Sequence, residues 1–292
     1  MDKYKLKKNK YGFFQVDPTP TEKEISKFYA EEFYSGDYKN FNDSSLEVQL
    51  NDEEFFKGRW QQIYENFLEI KKKFKKNTTM LDVGCGWGLA LQYFQSKGIQ
   101  CYGFDPAKEA VEYGRNKGLN LKHAGLNSMD VFDGKKFDLI SLINVLEHLA
   151  DPEIALKQIK KIIHKDGILM IDVPNEYNKF QVAGKKVHNL DEWWFAPPNH
   201  LNYFSRESLS NLLNKIGFKI KICESSFPLE MFLLFGENYV SDPKLGKACH
   251  KKRVSFEVNL RKTGNKNLLK KFYRTLAKLN LGRQIVIYAV LK

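Results

Sequence analysis

The chain has 292 residues, of which 42% are hydrophobic, so it is long enough to bury a full-sized core. Its longest apolar stretches, 137–145 and 167–173, are shorter than the roughly 18 to 20 residues that cross a membrane. The charged N-terminus also lacks the apolar segment of a secretory signal. We therefore expect no membrane span and a cytoplasmic protein.

Lysines and arginines exceed acidic residues by 12, a balance that suits phosphate-bearing partners such as nucleic acid, nucleotide sugars or anionic lipid. No aromatic residues alternate with the basic ones as in RNA-recognition motifs, so nucleic acid is not the expected partner. The four cysteines are scattered without C-x-x-C spacing, and we interpret them as reduced thiols.

Residues 1–77 are predicted to form an N-terminal helical cap. Thr21 and Glu24 follow Pro20 with the spacing of a capping box, and apolar residues from Ile25 onward recur at helical spacing. A second helix is predicted over about 52–76, where large apolar side chains recur every three or four residues.

From residue 78 to residue 223, short apolar runs alternate with helical stretches. This alternation indicates an α/β fold, a Rossmann-like, doubly wound and mostly parallel seven-stranded sheet with helices on both faces. A long irregular insert is predicted at 175–204, and residues 224–292 are predicted to form a helical insertion before the last strand. The predicted strands are 80–83, 101–104, 120–123, 137–143, 167–173, 218–223 and 284–291.

A glycine-rich turn follows the first of these strands. Gly84, Cys85, Gly86 and Gly88 lie where the strand gives way to a helix, and glycines let the backbone turn sharply and approach a ligand closely. The spacing G-x-G-x-G differs from the G-x-G-x-x-G of dinucleotide sites, and no P-loop motif is present. The turn therefore predicts a nucleotide-like ligand other than NAD or a nucleoside triphosphate.

Asp105 ends the second strand about twenty residues after the glycine turn. A carboxylate at that position can accept hydrogen bonds from both hydroxyls of a ribose. The alternative is a helix N-cap at Asp105 followed by Pro106 at the first helical position. Both roles are compatible, and the pairing with the glycine turn favours ribose binding.

The chain resembles the class I S-adenosylmethionine-dependent methyltransferases. Within them it is similar to the small-molecule branch of ubiquinone-pathway O-methyltransferases and methyltransferases of surface-polysaccharide gene clusters. The resemblance covers about 78–223 and rests on LDVGCGWG at 81–88, YGFDP at 102–106, FDLISLINVLEHLADP at 137–152 and KDGILMIDVPN at 165–175. It implies S-adenosylmethionine as cofactor and S-adenosylhomocysteine as product. The implied cofactor-binding residues are Asp82, Gly84, Cys85, Gly86, Gly88, Asp105, Pro106, Asn127 and Asn144.

Polar side chains follow the fourth strand of the doubly wound sheet, at the edge where ligands bind. His148 is a candidate general base because imidazole titrates near neutral pH, and Glu147 is a candidate acceptor contact. Alternatively, both are polar groups before a helix that begins with Asp151 as N-cap. Related quinone O-methyltransferases can hold a divalent metal here; this chain has Asn144 where the first carboxylate would stand, so no metal is expected.

The insert at 175–204 carries a second cluster of candidate residues. His200 is the other candidate general base, and the expected acceptor contacts are Trp193, Trp194, Asn199 and Tyr203, because adjacent aromatic rings can stack on a ring while polar groups orient it. The H-x-x-Y-F element at 200–204 also resembles methyltransferases of polysaccharide clusters. The alternative is that the aromatic residues pack the insert onto the sheet and that His200 is structural.

Taken together, these features predict an O- or N-methyltransferase of a small polar metabolite, with a sugar or nucleotide sugar of a surface glycan as the first-choice acceptor. Three alternatives stay open: a quinone-type O-methyltransferase, an RNA methyltransferase that uses the basic surface, and a protein that binds the cofactor without turnover.

Overall fold

The computed structural model describes residues 3–21, 24 and 45–292. The chain divides into two compact units. The sheet unit consists of 56–173, 210–222 and 287–292. The insert unit consists of 174–209, 223–286 and the described part of 1–55. No helix among the described residues is long and apolar enough to span a bilayer.

Seven strands form one sheet with the order β5-β4-β3-β6-β7-β10-β9, and the pairs β3–β4, β3–β6, β4–β5 and β6–β7 are parallel. The predicted α/β sheet is thereby confirmed. The strands of the described residues are β1 Lys5–Lys8, β2 Phe14–Asp17, β3 Thr79–Val83, β4 Gln100–Asp105, β5 Asn120–His123, β6 Phe137–Ile143, β7 Ile163–Pro174, β8 Asn202–Tyr203, β9 Phe218–Ser225 and β10 Gln284–Leu291.

The helices alternate with these strands along the sheet unit, and further helices lie in the insert unit. A short 3₁₀ helix also follows β6, at Leu146–His148. Within the described residues, the α-helices are α1 Leu46–Asn51, α2 Glu53–Lys71, α3 Leu89–Ser96, α4 Lys108–Asn116, α5 Pro152–Ile162, α6 Lys179–His188, α7 Arg206–Ile216, α8 Met231–Leu234, α9 Pro243–Lys262 and α10 Lys266–Lys278.

The core of the sheet unit lies around its central strands. Leu81, Leu139 and Leu169 are fully buried, as expected for parallel strands that helices cover on both faces. Val83 pairs with Phe104 on one side and with Leu142 on the other. Because these three strands run parallel and end at the same level, the residues that follow them lie at one edge of the sheet.

Helix α2 confirms the predicted second helix and ends five residues earlier than expected. Phe67, near its end, packs against Phe94 of α3 and Tyr288 of β10. Lys72 directly after the helix has a positive φ of 69°, the left-handed conformation that commonly terminates helices. The helical spacing of apolar residues continues to Phe74, so the sequence does not indicate that the helix ends at Lys71.

The prediction of an entirely helical N-terminal cap is wrong for residues 5–17. Strands β1 and β2 pair antiparallel there, and β2 also pairs with β8 of the insert, so that Phe14 lies opposite Tyr203. Leu6 pairs with Val16, and both side chains pack into one apolar cluster of the insert unit. The strands have only four residues each, too few for alternation to stand out among the surrounding lysines.

The capping box at Thr21 is present. The backbone N–H of Thr21 donates to Glu24 Oε2 at 2.9 Å, and the N–H of Glu24 donates to Thr21 Oγ1 at 3.3 Å. These are the two reciprocal bonds that define the motif. The predicted helix beyond it, from Ile25 onward, lies outside the described residues.

The insert at 175–204 is less irregular than predicted, because α6 occupies 179–188. Asn178 caps this helix and accepts hydrogen bonds from the N–H groups of Phe180 and Gln181, both at 3.0 Å. Gly184 interrupts the helical pattern in the sequence, but a Cβ at this position would lie 2.8 Å from Leu233 Cδ1. The glycine therefore allows close packing against α8 and does not mark a loop.

Candidate active site

The glycine turn connects β3 to α3 at the carboxyl edge of the sheet. Gly84, Gly86 and Gly88 all have positive φ, between 51° and 74°, which side chains other than glycine rarely adopt. A Cβ at Gly84 would lie 2.6 Å from Val145 Cγ2, whereas a Cβ at Gly86 would meet no atom within 4 Å. The backbone at Gly86 therefore borders open space that a ligand can enter.

Asp105 lies across from this turn at the end of β4. Its Oδ2 accepts a hydrogen bond from the N–H of Gly86 and its Oδ1 accepts one from the N–H of Ala107, both at 2.8 Å. Each carboxylate oxygen keeps a second lone pair for another donor. Burial raises the pKa of Asp105, while the two backbone N–H groups oppose this shift. The helix N-cap is Ala107, so the N-cap alternative for Asp105 is wrong.

Two side chains lie beneath the turn and support it. Asp82 is buried in β3 and accepts a hydrogen bond from Ser141 Oγ at 2.5 Å, and burial raises the pKa of Asp82 to about 7. The Cys85 thiol is also buried, and a Cβ at Gly103 would come within 2.8 Å of its sulfur. Both side chains face the interior, so cofactor contact at Cys85 is a prediction for its backbone.

The other predicted cofactor residues lie on loops of the sheet unit. Asn144 follows β6 with a positive φ of 53°, and its N–H donates to the carbonyl oxygen of Asp172 at 2.9 Å. Asn127 is exposed in the loop after β5. The carbonyl oxygen of Pro106 lies 3.0 Å from His123 Nε2. Gly88 packs against Leu119, 2.4 Å from the position of a Cβ, so its role is close packing of the helix start.

The arrangement fits the amino acid and ribose of S-adenosylmethionine. Parallel pairing brings Gly86, Asp105 and Asn144 to the ends of the neighbouring strands β3, β4 and β6. The open space at Gly86 leaves room for a ligand, and Asp105 offers acceptors for hydroxyl groups. The sequence pattern predicted that these groups lie together, and their contacts to the cofactor stay predictions.

Glu147 and His148 lie in the 3₁₀ helix that follows Asn144. Glu147 is buried, and its Oε1 lies 3.7 Å from His148 Nε2, beyond hydrogen-bond distance. Asp151 caps α5 by accepting from the N–H of Ile154 at 2.9 Å, and Pro152 occupies the first turn. The predicted helix start is confirmed, while the acceptor and base roles of Glu147 and His148 stay predictions.

An ion pair between the half-buried Arg59 and the buried Asp172, at the same edge, was missed in the sequence. Arg59 of α2 donates from Nη2 to Asp172 Oδ2 at 3.1 Å, and Asp172 lies beside Ile143 of β6. Burial raises the pKa of Asp172 to about 6, and the Arg59 guanidinium opposes the shift. An aspartate inside the otherwise apolar run 167–173 was the signal that could have revealed it.

In the insert unit, His200 is held by a carboxylate that sequence reasoning also missed. His200 Nδ1 lies 2.9 Å from Oε1 of Glu176, a buried residue just after β7. When Nδ1–H donates to a carboxylate, the other ring nitrogen, Nε2, carries the lone pair. Glu176 follows the end of the fifth sheet strand, and this position was the available signal.

The aromatic residues of the insert pack together on the N-terminal strands. Trp194 is 5% exposed and Tyr203 is 2% exposed, and both join Val16 in one core cluster with Trp193 at its border. Tyr203 Oη accepts from the N–H of Ala196 at 3.1 Å. This burial favours the packing role for Trp194 and Tyr203. Acceptor contact by any of these side chains, and by the buried Asn199, stays a prediction.

Among curated proteins, the chain is similar to ubiquinone biosynthesis O-methyltransferases. The protein of Pelagibacter ubique is 26% identical over 168 residues, which cover 52% of this chain and 69% of that relative. The protein of Glaesserella parasuis is 25% identical over 150 residues, or 44% of this chain and 63% of the relative. A probable (S)-tetrahydroprotoberberine N-methyltransferase of Papaver bracteatum is 27% identical over 154 residues, or 48% of this chain and 41% of the relative. The matches span less than two thirds of the second and third of these relatives.

Solved structures confirm the fold. The plantazolicin methyltransferase BamL, in a complex that contains S-adenosylhomocysteine, superposes with a TM-score of 0.55 at 14% identity over 92% of this chain and 94% of that chain. The [4+2]-cyclase SpnF superposes with a TM-score of 0.54 at 16% identity over 94% of this chain and 98% of that chain. Because a cyclase and a methyltransferase both match, the fold alone does not determine the reaction.

The family model described as a methyltransferase domain matches residues 53–221, more than half of the 292 residues. This stretch contains the glycine turn, Asp105 and the polar residues after β6. The chain therefore belongs to the methyltransferase-domain family and is an S-adenosylmethionine-dependent methyltransferase.

Proposed function

We propose that this enzyme methylates a hydroxyl or amine of a small polar metabolite, and that the acceptor is a sugar or nucleotide sugar of a surface glycan. The observation that carries the proposal is the 2.9 Å contact between His200 Nδ1 and Glu176 Oε1. A hydroxyl or ammonium acceptor must lose a proton when it gains a methyl group, and an imidazole oriented by a carboxylate suits that task.

When bound, S-adenosylmethionine supplies an electrophilic methyl group on a sulfonium and is left as S-adenosylhomocysteine. The chain's own residues align the acceptor and remove its proton. His200 accepts that proton at Nε2, while the Glu176 carboxylate holds the Nδ1–H and stabilises the imidazolium that forms. His148 is the second candidate base, and its Nε2 lies 3.7 Å from Glu147 Oε1.

We assign the cofactor to the carboxyl edge of the sheet unit. The backbone of Gly84 and Gly86 is proposed to hold its methionine portion together with Asn144, and Asp105 to accept hydrogen bonds from the ribose hydroxyls. The positive φ angles of the turn, the open space at Gly86 and the lone pairs left on Asp105 support these roles.

His200 and Glu176 together form a polar dyad. The polar character of this dyad and the H-x-x-Y-F element at 200–204 support the sugar assignment. The second candidate is O-methylation of a quinone-type precursor, which the ubiquinone O-methyltransferases among the relatives favour. Both candidates require loss of a hydroxyl proton, so the dyad serves either one.

The experiment that separates these candidates is transfer of a labelled methyl group. The enzyme is incubated with labelled S-adenosylmethionine and, separately, with nucleotide sugars, hydroxylated quinone precursors and RNA. Label in a nucleotide sugar, located by mass spectrometry on an oxygen or nitrogen, supports the proposal. Label only in a quinone precursor or only in RNA contradicts the sugar assignment. Absence of transfer to any acceptor, despite S-adenosylhomocysteine binding, favours a non-catalytic binding protein.

A matched pair of histidine variants tests the dyad. His200→Asn removes the proposed base, whereas His188→Asn replaces another half-buried histidine of the insert, whose Nε2 lies 2.7 Å from the Leu233 carbonyl oxygen. We expect His200→Asn to lose methyl transfer with unchanged S-adenosylhomocysteine affinity, and His188→Asn to retain transfer. Equal rates in the two variants would remove His200 from the chemistry.

A further inference from the structure

The positive charge of the chain is concentrated in one short stretch. Residues 243–278 contain twelve of the 47 lysines and arginines and only one of the 35 acidic residues, Glu257. This stretch therefore carries +11 of the formal net charge of +12. The remaining residues together carry a formal net charge of only +1, so the basic character of the chain is local to this stretch.

The stretch consists of α9 and α10, which lie in the insert unit and are joined at 263–265. Their aromatic residues Phe256 and Phe272 pack with ring centroids 6.1 Å apart. Glu257 is buried, and burial together with the nearby charge of Glu257 raises the pKa of the Tyr273 phenol. The single acidic side chain of the stretch is thus turned inward, and its outward side chains include no acid.

The outward face of α10 combines lysines with uncovered leucines. Leu269, Tyr273 and Leu276 form its buried face. On the opposite face, Leu268 is 56% exposed and Leu279, immediately after the helix, is 60% exposed. Between them, Lys271, Thr275 and Lys278 follow at helical spacing and are all exposed. Large exposed leucines in line with lysines are typical of helices that lie at a lipid interface.

The outward face of α9 carries a second row of lysines. Lys244, Lys247 and Lys251 are exposed and recur at helical spacing, while Lys262, also exposed, pairs with Glu54 at 2.9 Å. At the border of the same unit, Phe256 is 37% exposed and Phe235 is 68% exposed. Rings connect these two side chains, because Phe227 packs against Phe256 and Phe232, and Phe232 packs against Phe235.

The arginines of the stretch are not the exposed charges. Arg274 donates to the buried Glu224 at 2.9 Å, and Arg253 stacks over the Phe55 ring at 4.9 Å. The exposed cations are lysines, which act as point charges and lack the planar fork of arginine that recognises base edges. A surface of lysines with leucines suits anionic headgroups above hydrocarbon better than a nucleic acid, which offers phosphates but no apolar layer.

We propose that the α9–α10 hairpin docks on the surface of an anionic phospholipid bilayer, with the lysine rows at the headgroups and Leu268 and Leu279 at the acyl boundary. This inference does not depend on which acceptor is methylated. It places the enzyme at a membrane surface.

The test is co-sedimentation of the full chain with vesicles of phosphatidylcholine alone and of phosphatidylcholine mixed with phosphatidylglycerol. We expect binding to the mixed vesicles only, weakened by salt. The variant Lys271→Glu/Lys278→Glu should bind at least about 30-fold more weakly, because each lysine near an anionic surface contributes about 1 kcal/mol and the reversal removes two of them. Leu268→Ala/Leu279→Ala should also weaken binding, by about tenfold or more.

The matched control is Lys97→Glu/Lys117→Glu, which changes net charge equally at two exposed lysines of the sheet unit and should bind like the parent. Thermal unfolding and S-adenosylhomocysteine affinity confirm that each variant is folded. Should the α10 variant not fold, Lys244→Glu/Lys251→Glu on α9 tests the same surface. Equal binding to both vesicle types, parent-like binding of the charge-reversed variant, or tight binding to RNA without binding to vesicles would overturn the proposal.

Discussion

Replacement of Asp105 by asparagine is the sharpest test of the cofactor site. The new side chain would keep one oxygen acceptor and gain an NH₂ group that only donates. In the parent, both carboxylate oxygens already accept a backbone N–H, from Gly86 and Ala107, each at 2.8 Å. The amide NH₂ must therefore face one of these donors, or it must turn away and leave that N–H without an acceptor.

The expected loss follows from these contacts. A hydrogen bond to a charged group contributes about 1.5 to 3 kcal/mol, and the substitution removes the charge seen by the ribose hydroxyls as well as one support of the glycine turn. We expect S-adenosylhomocysteine affinity to fall by about 2 to 4 kcal/mol, which corresponds to roughly 30- to 1,000-fold. The two losses act on the same loop, so they are not additive with substitutions at Gly86.

The assay is titration calorimetry with S-adenosylhomocysteine and, in parallel, with NAD, which the parent should not bind. Asp242→Asn is the matched control, because Asp242 accepts from the N–H groups of Lys244 and Leu245 at 2.9 and 3.2 Å and caps α9. Asparagine caps helices as well as aspartate does, so this control should bind normally. Parent-like affinity in Asp105→Asn would refute the ribose role.

Three further outcomes are expected. Glu176→Gln should lower kcat by about 10²- to 10⁴-fold with cofactor affinity intact, because a neutral amide does not stabilise the imidazolium and, where its NH₂ faces His200 Nδ1, the proton moves to Nε2; an unchanged kcat would rule out the dyad. Asp82 has a folded-state pKa of about 7 and an ordinary value near 3.8, so its burial lowers stability as pH rises between these values. In urea unfolding, the free energy of unfolding of Asp82→Asn relative to that of the parent should rise by about 3 to 4 kcal/mol from about pH 4 to about pH 8. A difference that does not depend on pH would contradict the assignment. Trp194→Ala should lower the free energy of unfolding by about 3 to 5 kcal/mol, more than Trp193→Ala; near-parent stability together with loss of acceptor use would instead make Trp194 an acceptor contact.

The sheet could be predicted closely because its strands are buried on both faces. Strands β5, β6 and β10 have the predicted bounds, and the others differ by a few residues at their ends. The glycine turn and Asp105 were identifiable for a related reason, since the chemistry of a tight turn and a strand-end carboxylate is local in sequence. Parallel pairing alone then brings them to one edge.

The missed features depend on contacts distant in sequence. Glu176 and His200 are 24 residues apart. The sequence around either residue contains no pattern that predicts its contact with the other. Arg59 and Asp172 are separated by 113 residues. The β1–β2 hairpin is stabilised by pairing with β8, nearly two hundred residues later, so its own four-residue strands carry little signal.

The buried thiol of Cys85 makes the glycine turn observable without a ligand. Its sulfur packs against the backbone of Gly103, and burial raises its pKa well above the ordinary range, so an alkylating reagent can reach the thiolate only while the turn is transiently open. In a chain whose other three cysteines are replaced, the rate of Cys85 modification reports the opening equilibrium of the turn. A ligand that closes the turn slows this reaction. The decrease in the rate of Cys85 modification therefore measures the fraction of the protein whose site is occupied.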